Sequence, residues 1–218
     1  MENKKYKLVI FDFDGTLADT SEGILNCHKH ALVSMGRTEP TDEELAGIIG
    51  GQLLTTYIDR FKFSEEDAVE AVKIYRDRYA EKGIFEFKMY DGMADTLREL
   101  RRRGYKTAIA TLKAERFAKL MMKNQELDSL FDIIHGVDEQ DKLTKTALVD
   151  MCVSEAGVKN HEAILVGDSM SDANGAEKSD VDMLAVTYGF GFSSEDDLKN
   201  VRHHFIVSSP LEILEKLQ

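Results

Sequence analysis

The chain is expected to fold as an α/β protein: a doubly wound parallel sheet, interrupted near its start by a small all-helical insertion. Three observations carry this expectation. Leu8-Val9-Ile10-Phe11 is apolar without alternation, as in a parallel strand buried on both faces. From Tyr90 onward, short apolar runs alternate with helix-length segments, the pattern of parallel strands joined by right-handed crossovers. Between Leu17 and Ile84 there is only helical spacing and no strand signal.

Taken in order, the opening strand ends at Asp12-Phe13-Asp14-Gly15-Thr16-Leu17, where Gly15 permits a tight turn. Ile24, Cys27, His28, Ala31, Leu32 and Met35 then recur at helical spacing, and Gly36 is placed to end that helix. Thr41-Asp42-Glu43-Glu44 resembles a capping box for a short helix through Ile48. Gly50-Gly51 breaks the chain, Leu53 to Phe61 reads as a helix, and Ser64 caps a longer one carrying Ala68, Val72, Tyr75 and Tyr79. Past Tyr90 a helix from Met93 to Arg103 leads to a strand at Lys106–Thr111, and a helix from Lys113 to Asn124 follows. A strand at Phe131–His135 precedes a helix from Lys145 to Ala156, with Gly157 as its stop, and Ala163–Val166 is the next strand. Gly167-Asp168-Ser169 opens a short helix from Asp172 to Lys178. Met183–Val186 and Phe205–Val207 are further strands, and Pro210 opens a terminal helix. The expected division is an α/β core from 1–17 and 88–218, with a helical unit from 18–87.

Of the 218 residues, 43% are hydrophobic and 31% charged, with 40 acidic against 28 basic and a net charge of -12. That balance disfavours nucleic-acid binding, which needs a basic face to displace counterions. No apolar run approaches the ~20 residues of a membrane span, and the first residues carry no signal-peptide pattern. Cys27 and Cys152 are isolated, which argues against a disulfide framework or a zinc site and for a reducing cytoplasm.

Strand exits carry the chemistry: Asp12 and Asp14, Thr111, and Asp168 with Asp172, with Lys145 opening a helix. In a doubly wound sheet these converge at one edge. Clustered carboxylates repel by roughly several kcal/mol per pair at an effective dielectric of about 20, so such a cluster persists only if a cation binds or some groups stay protonated. An all-oxygen donor set favours a hard ion such as Mg²⁺, with Asp12, Asp14 and Asp168 as its contacts, Asp14 through its carboxylate or its backbone carbonyl alone, and Asp172 facing the same ion or orienting its waters. A dianionic phosphate could then be held by that ion, Lys145, the Thr111 hydroxyl and backbone N–H groups near Leu112 and Lys113. One carboxylate could attack phosphorus while the other carries the proton.

Asp12-Phe13-Asp14-Gly15-Thr16-Leu17, Thr111 after a strand, Lys145, and Gly167-Asp168-Ser169-Met170-Ser171-Asp172 resemble the four motifs of the haloacid dehalogenase-like phosphohydrolases, most closely the phosphoglycolate phosphatase-like branch. The resemblance spans nearly the whole chain, and the helical insert matches the cap of one subclass. It implies a Rossmann-like core, with Asp12 as nucleophile, Asp14 as acid/base, Thr111 and Lys145 on phosphate and Asp168 on Mg²⁺. It also implies a substrate-specificity loop at Gly50 and Gly51, although the arginine often found before that loop is absent. The family's Lys-Pro third motif is absent too, leaving Lys142 and Lys145 as candidates, of which Lys145 has the spacing of close relatives. The expected activity is a cytoplasmic, Mg²⁺-dependent phosphomonoesterase for a small phosphorylated metabolite, working as a monomer or homodimer. The alternatives are a sugar phosphomutase resembling β-phosphoglucomutase, or a phospho-accepting signalling domain.

Overall fold

A computed structural model describes residues 6–138 and 142–217. Two compact units are present: Thr20–Lys88, and the flanking segments up to Asp19 and from Met89.

The second of these is built on a six-stranded sheet whose pairings are all parallel. Its strands are β1 (Leu8–Phe11), β4 (Lys106–Ala114), β5 (Ile133–Val137), β6 (Ala163–Gly167), β7 (Asp182–Val186) and β8 (Phe205–Val207), in the order β5-β4-β1-β6-β7-β8. A further pair, β2 (Ala18–Asp19) and β3 (Lys88–Met89), forms a separate two-stranded sheet. The central strand β1 is wholly buried, matching its unalternating sequence. The chain steps to β4 and β5 on one side of β1, then returns to β6 on the other, so β1 marks the switch point where such sheets bind ligands. Register aligns the exits: Phe11 lies opposite Ile109 of β4 and Val166 of β6.

Helices α5 (Met93–Arg102), α6 (Glu115–Asn124), α7 (Lys145–Ala156) and α8 (Met170–Lys178) connect these strands, and α9 (Ile213–Lys216) follows β8. Apolar residues of α7 and α8, including Leu148, Val149, Ala173 and Ala176, pack with Leu8, Ile10, Ala108 and Leu165 of the sheet. Cys152 of α7 lies in this core, its thiol donating to the Ile109 carbonyl at 3.5 Å, and burial pushes its pKa up to about 12.

Two expectations are corrected here. The stretch between Leu17 and Ile84 does contain a strand, β2, because pairing over two residues is too short to leave a period in the sequence. The strand expected to end at Thr111 continues to Ala114, so Lys113 belongs to β4 and α6 begins only at Glu115. Here the Thr111 hydroxyl accepts the Lys113 N–H at 3.2 Å, and the pairing with β5 shifts register between Thr111 and Ala114. An irregular strand of this kind reads like a helix start in one dimension.

The unit Thr20–Lys88 consists of α1 (Ser21–Ser34), α2 (Asp42–Leu45), α3 (Leu53–Asp59) and α4 (Glu65–Glu81). Thr41 and Glu44 form a reciprocal capping box on α2, and Ser64 caps α4 by accepting the Asp67 N–H at 3.1 Å. Cys27 is fully buried on α1. Its neighbour His28 shares a hydrogen bond of 3.2 Å with the Tyr57 hydroxyl and lies 4.7 Å, centroid to centroid, from Tyr75. Burial, with a smaller contribution from Arg60, lowers the His28 pKa to about 3. No described helix is long and apolar enough to cross a membrane.

The folded unit thus binds the His28 proton more weakly than the unfolded chain does, so stability is lost as pH falls below the unfolded value. Between pH 7 and pH 5 this unit should lose about 2 kcal/mol from His28 alone. Denaturant unfolding at the two pH values, comparing the parent chain with His28→Leu, should show that increment vanish in the variant.

Candidate active site

The site is assembled at the carboxyl ends of β1, β4 and β6. Asp12 follows β1 directly, its backbone N–H donating to the Val166 carbonyl at 2.9 Å and continuing the pairing with β6. Gly15, with φ at +84°, turns the chain beneath Asp168; a Cβ there would lie 2.4 Å from an Asp168 carboxylate oxygen.

Lys145 is the joint of the site. Thr144 caps α7 by accepting the Ala147 N–H at 3.2 Å, which puts Lys145 on the first turn. Its buried ammonium lies 2.6 Å from Asp12 Oδ1 and 2.7 Å from Asp172 Oδ1, and it donates to the Ala110 carbonyl at 2.8 Å. Burial works against that ammonium, but the charges of Asp12 and Asp172 outweigh it and raise the pKa, so Lys145 is charged. Lys142 is exposed, and its backbone N–H reaches Asp138 at 3.5 Å.

Asp172 is the third residue of α8, two residues beyond the helix start, because Ser169 takes the cap. The Ser169 hydroxyl and N–H donate to Asp172 Oδ2 at 2.6 and 3.0 Å, a capping box that fixes one Asp172 oxygen and leaves the other toward Lys145. Asp168 accepts from Phe190 N at 2.8 Å and Gly191 N at 3.1 Å on Oδ2, and from the Thr16 hydroxyl at 3.1 Å on Oδ1.

Asp12, Asp168 and Asp172 each bring a carboxylate oxygen within 4.8 Å of the others, and all three are buried. Burial, followed by the Asp172 and Asp168 charges, lifts Asp12 to about 7 despite Lys145, and burial with Asp172 lifts Asp168 to about 6. Three carboxylates around one ammonium are short of positive charge. Oxygen donors at this spacing fit a hard divalent cation.

Asp14 stands apart from these three in its side chain, which leaves its backbone carbonyl as the group it could offer an ion. Its carboxylate is not in the trio but pairs with Lys113 Nζ at 2.8 Å, and that ammonium lies 5.5 Å from the Phe13 ring centroid. Lys113, expected on phosphate, is therefore seen on Asp14. Thr111 is buried at the end of the regular pairing of β4, and Leu112 is partly buried with its side chain packed against the sheet core. Gly50 and Gly51 belong to the helical unit, as an exposed turn ahead of α3, with Gly50 at φ +87°.

Sequence reasoning overlooked the segment after β7, Tyr188-Gly189-Phe190-Gly191-Phe192. The available signal was two glycines in alternation at the exit of a buried strand, where backbone must approach another group closely. The Tyr188 hydroxyl donates to the Thr16 carbonyl at 3.1 Å, and the Tyr90 ring meets Tyr188 edge-on at 4.7 Å.

Removing the ammonium should leave buried carboxylates uncompensated. Lys145→Met is expected to cost about 3–5 kcal/mol in metal-free denaturant unfolding, and a smaller loss on adding a divalent cation would identify the missing charge as the cause.

With this geometry in place, comparison with known proteins gives a consistent result. The family description "Haloacid dehalogenase-like hydrolase" matches residues 9–186. A 5'-nucleotidase of Pseudomonas aeruginosa is 34% identical over 196 residues, covering 89% of this chain and 88% of that one. Phosphoglycolate phosphatase 1 of the same organism is 31% identical over 193 residues, covering 84% and 70%. The crystal structure of a predicted phosphatase from Clostridium acetobutylicum superposes with a TM-score of 0.89 at 35% identity, covering 97% of both chains.

Proposed function

We propose that this chain, which belongs to the haloacid dehalogenase-like hydrolase family, is a Mg²⁺-dependent phosphomonoesterase that acts on a small phosphorylated metabolite through an aspartyl phosphate. The observation that carries this reading is the Asp12 carboxylate, buried at the exit of β1 with Lys145 at 2.6 Å and two further carboxylates beside it. The names of the relatives, a 5'-nucleotidase and a phosphoglycolate phosphatase, direct the substrate search toward nucleoside monophosphates and phosphoglycolate.

In this reading Asp12 attacks phosphorus in line, forming the Oδ–P bond as the ester P–O bond breaks. Asp14 delivers a proton to the departing alkoxide. It then removes one from water as that water attacks the phosphoaspartate, which releases phosphate and restores Asp12. Lys145 and the Thr111 hydroxyl hold phosphoryl oxygens, with backbone N–H groups of Leu112 and Lys113 alongside. Asp12, Asp168 and Asp172, with the backbone carbonyl of Asp14, would hold Mg²⁺, which would supply the positive charge that the dianion and the carboxylates lack. The segment 18–87 acts as a cap whose Gly50–Gly51 turn contributes to substrate choice, and 1–17 with 88–218 form the catalytic core. Two buried cysteines that form no disulfide are compatible with a reducing cytoplasm.

The test is phosphate release from a panel of phosphorylated metabolites with Mg²⁺. Asp12→Asn should abolish turnover while leaving the circular dichroism spectrum intact; appreciable residual activity would displace Asp12 as nucleophile. Asp14→Asn should still release the first product from aryl phosphates but stall on alkyl phosphates, and unchanged alkyl turnover would remove its acid/base role. Isomerisation of a sugar phosphate without free phosphate would point to a mutase instead.

A further inference from the structure

The carboxylates of the site are held in two chemically different ways. Asp12 and Asp172 share the Lys145 ammonium, and Asp14 has Lys113. The donors seen on Asp168 are uncharged: two successive backbone N–H groups at Phe190 and Gly191, and the Thr16 hydroxyl. A lysine on a carboxylate neutralises it, whereas neutral dipoles fix its orientation and leave its charge in place.

The donors on Asp168 are themselves tied together. Tyr188 donates from its hydroxyl to the Thr16 carbonyl, linking the loop after β7 to the loop after β1. Phe192 N donates to the Asp168 carbonyl at 2.7 Å, so the main chain of Asp168 is fixed along with its side chain. The loop lies against Asp168 so closely that a Cβ at Gly189 would come within 2.4 Å of Asp168 Cβ and of the Gly15 carbonyl. One at Gly191 would come within 2.4 Å of the Asp168 carbonyl. Thr16 is fully buried, which leaves its hydroxyl no solvent to compete for.

We infer that the loop Tyr188–Phe192, with Thr16, forms a neutral cradle that presents Asp168 as a rigidly oriented carboxylate for a divalent cation. Tyr188 and Thr16 are positioning residues, acting through Asp168. The inference rests on the metal-dependent reading above and adds to it which residues set the cation preference. Mg²⁺ demands near-ideal octahedral geometry, while Ca²⁺ accepts irregular coordination. A loosened Asp168 should therefore lose Mg²⁺ preferentially, whereas general damage to the site would weaken both ions alike.

The experiment is calorimetric titration of the metal-free full chain with MgCl₂ and, separately, CaCl₂. Thr16→Val, which keeps the shape and removes the donor, should weaken Mg²⁺ binding ~10-fold or more and lower the ratio of Mg²⁺ to Ca²⁺ affinity. Thr16→Ser should restore both. Tyr188→Phe, which removes only the hydroxyl, should shift the ratio the same way by a smaller factor, and Gly189→Ala by a larger one. Wild-type affinities in both Thr16→Val and Tyr188→Phe would overturn the cradle, as would equal losses for the two ions or a Thr16→Ser variant no better than Thr16→Val. A parent chain that takes up no Mg²⁺ would overturn the metal-dependent reading itself, and the cradle with it.

Discussion

The site depends on one buried ammonium. Lys145 joins Asp12 at the exit of β1, the Ala110 carbonyl of β4 and Asp172 at the head of α8, so a single group ties together three elements that the chain reaches far apart. Placing an isolated charge in such an interior is prohibitive, and so is placing three like charges. The two problems offset each other only when both are present. The arrangement still leaves more negative than positive charge, which adds to burial in raising the pKa values of Asp12 and Asp168. That residual charge is what a bound cation would offset in the reading proposed above. The strands that flank it most closely, β1 and β6, are apolar and buried along their whole length.

Much of this was legible in the sequence because its physical causes are local. A buried parallel strand announces itself by four unbroken apolar residues, and the acids at its end stand out because they run at once into Gly15 and Thr16. Likewise, Gly36 and Gly157 end their helices where expected, both at positive φ. What could not be read was set by partners distant in sequence. Nothing near Lys113 reveals that its ammonium pairs with Asp14, or that the irregularity after Thr111 keeps it in a strand. The two-residue strand β2 has no period to detect. The Tyr188–Phe192 loop was overlooked because its work is done by backbone N–H groups, which every residue possesses and no residue type advertises.

The manner in which each acid is supported also separates the roles proposed for them. A group that must accept and release a proton or a phosphoryl group needs a partner whose field can respond, and Asp12 and Asp14 each face a lysine. A group that must only hold an ion is better served by fixed dipoles that cost no reorganisation. Asp168, surrounded by N–H and O–H donors, is of this second kind. Asp172, proposed for the ion yet paired with Lys145, combines both kinds of support, with the ammonium at Oδ1 and the Ser169 donors on Oδ2.

The two cysteines have a consequence of a practical kind. One lies on α1 in the helical unit and the other on α7 against the sheet, and both are buried. Thiol reagents react through the exposed thiolate, so each sulfur is shielded while its own unit remains closed. The distribution gives each unit one internal clock. The rate at which Cys27 is alkylated reports the opening of Thr20–Lys88, and the rate for Cys152 reports the opening of the sheet, within a single sample and without an added label.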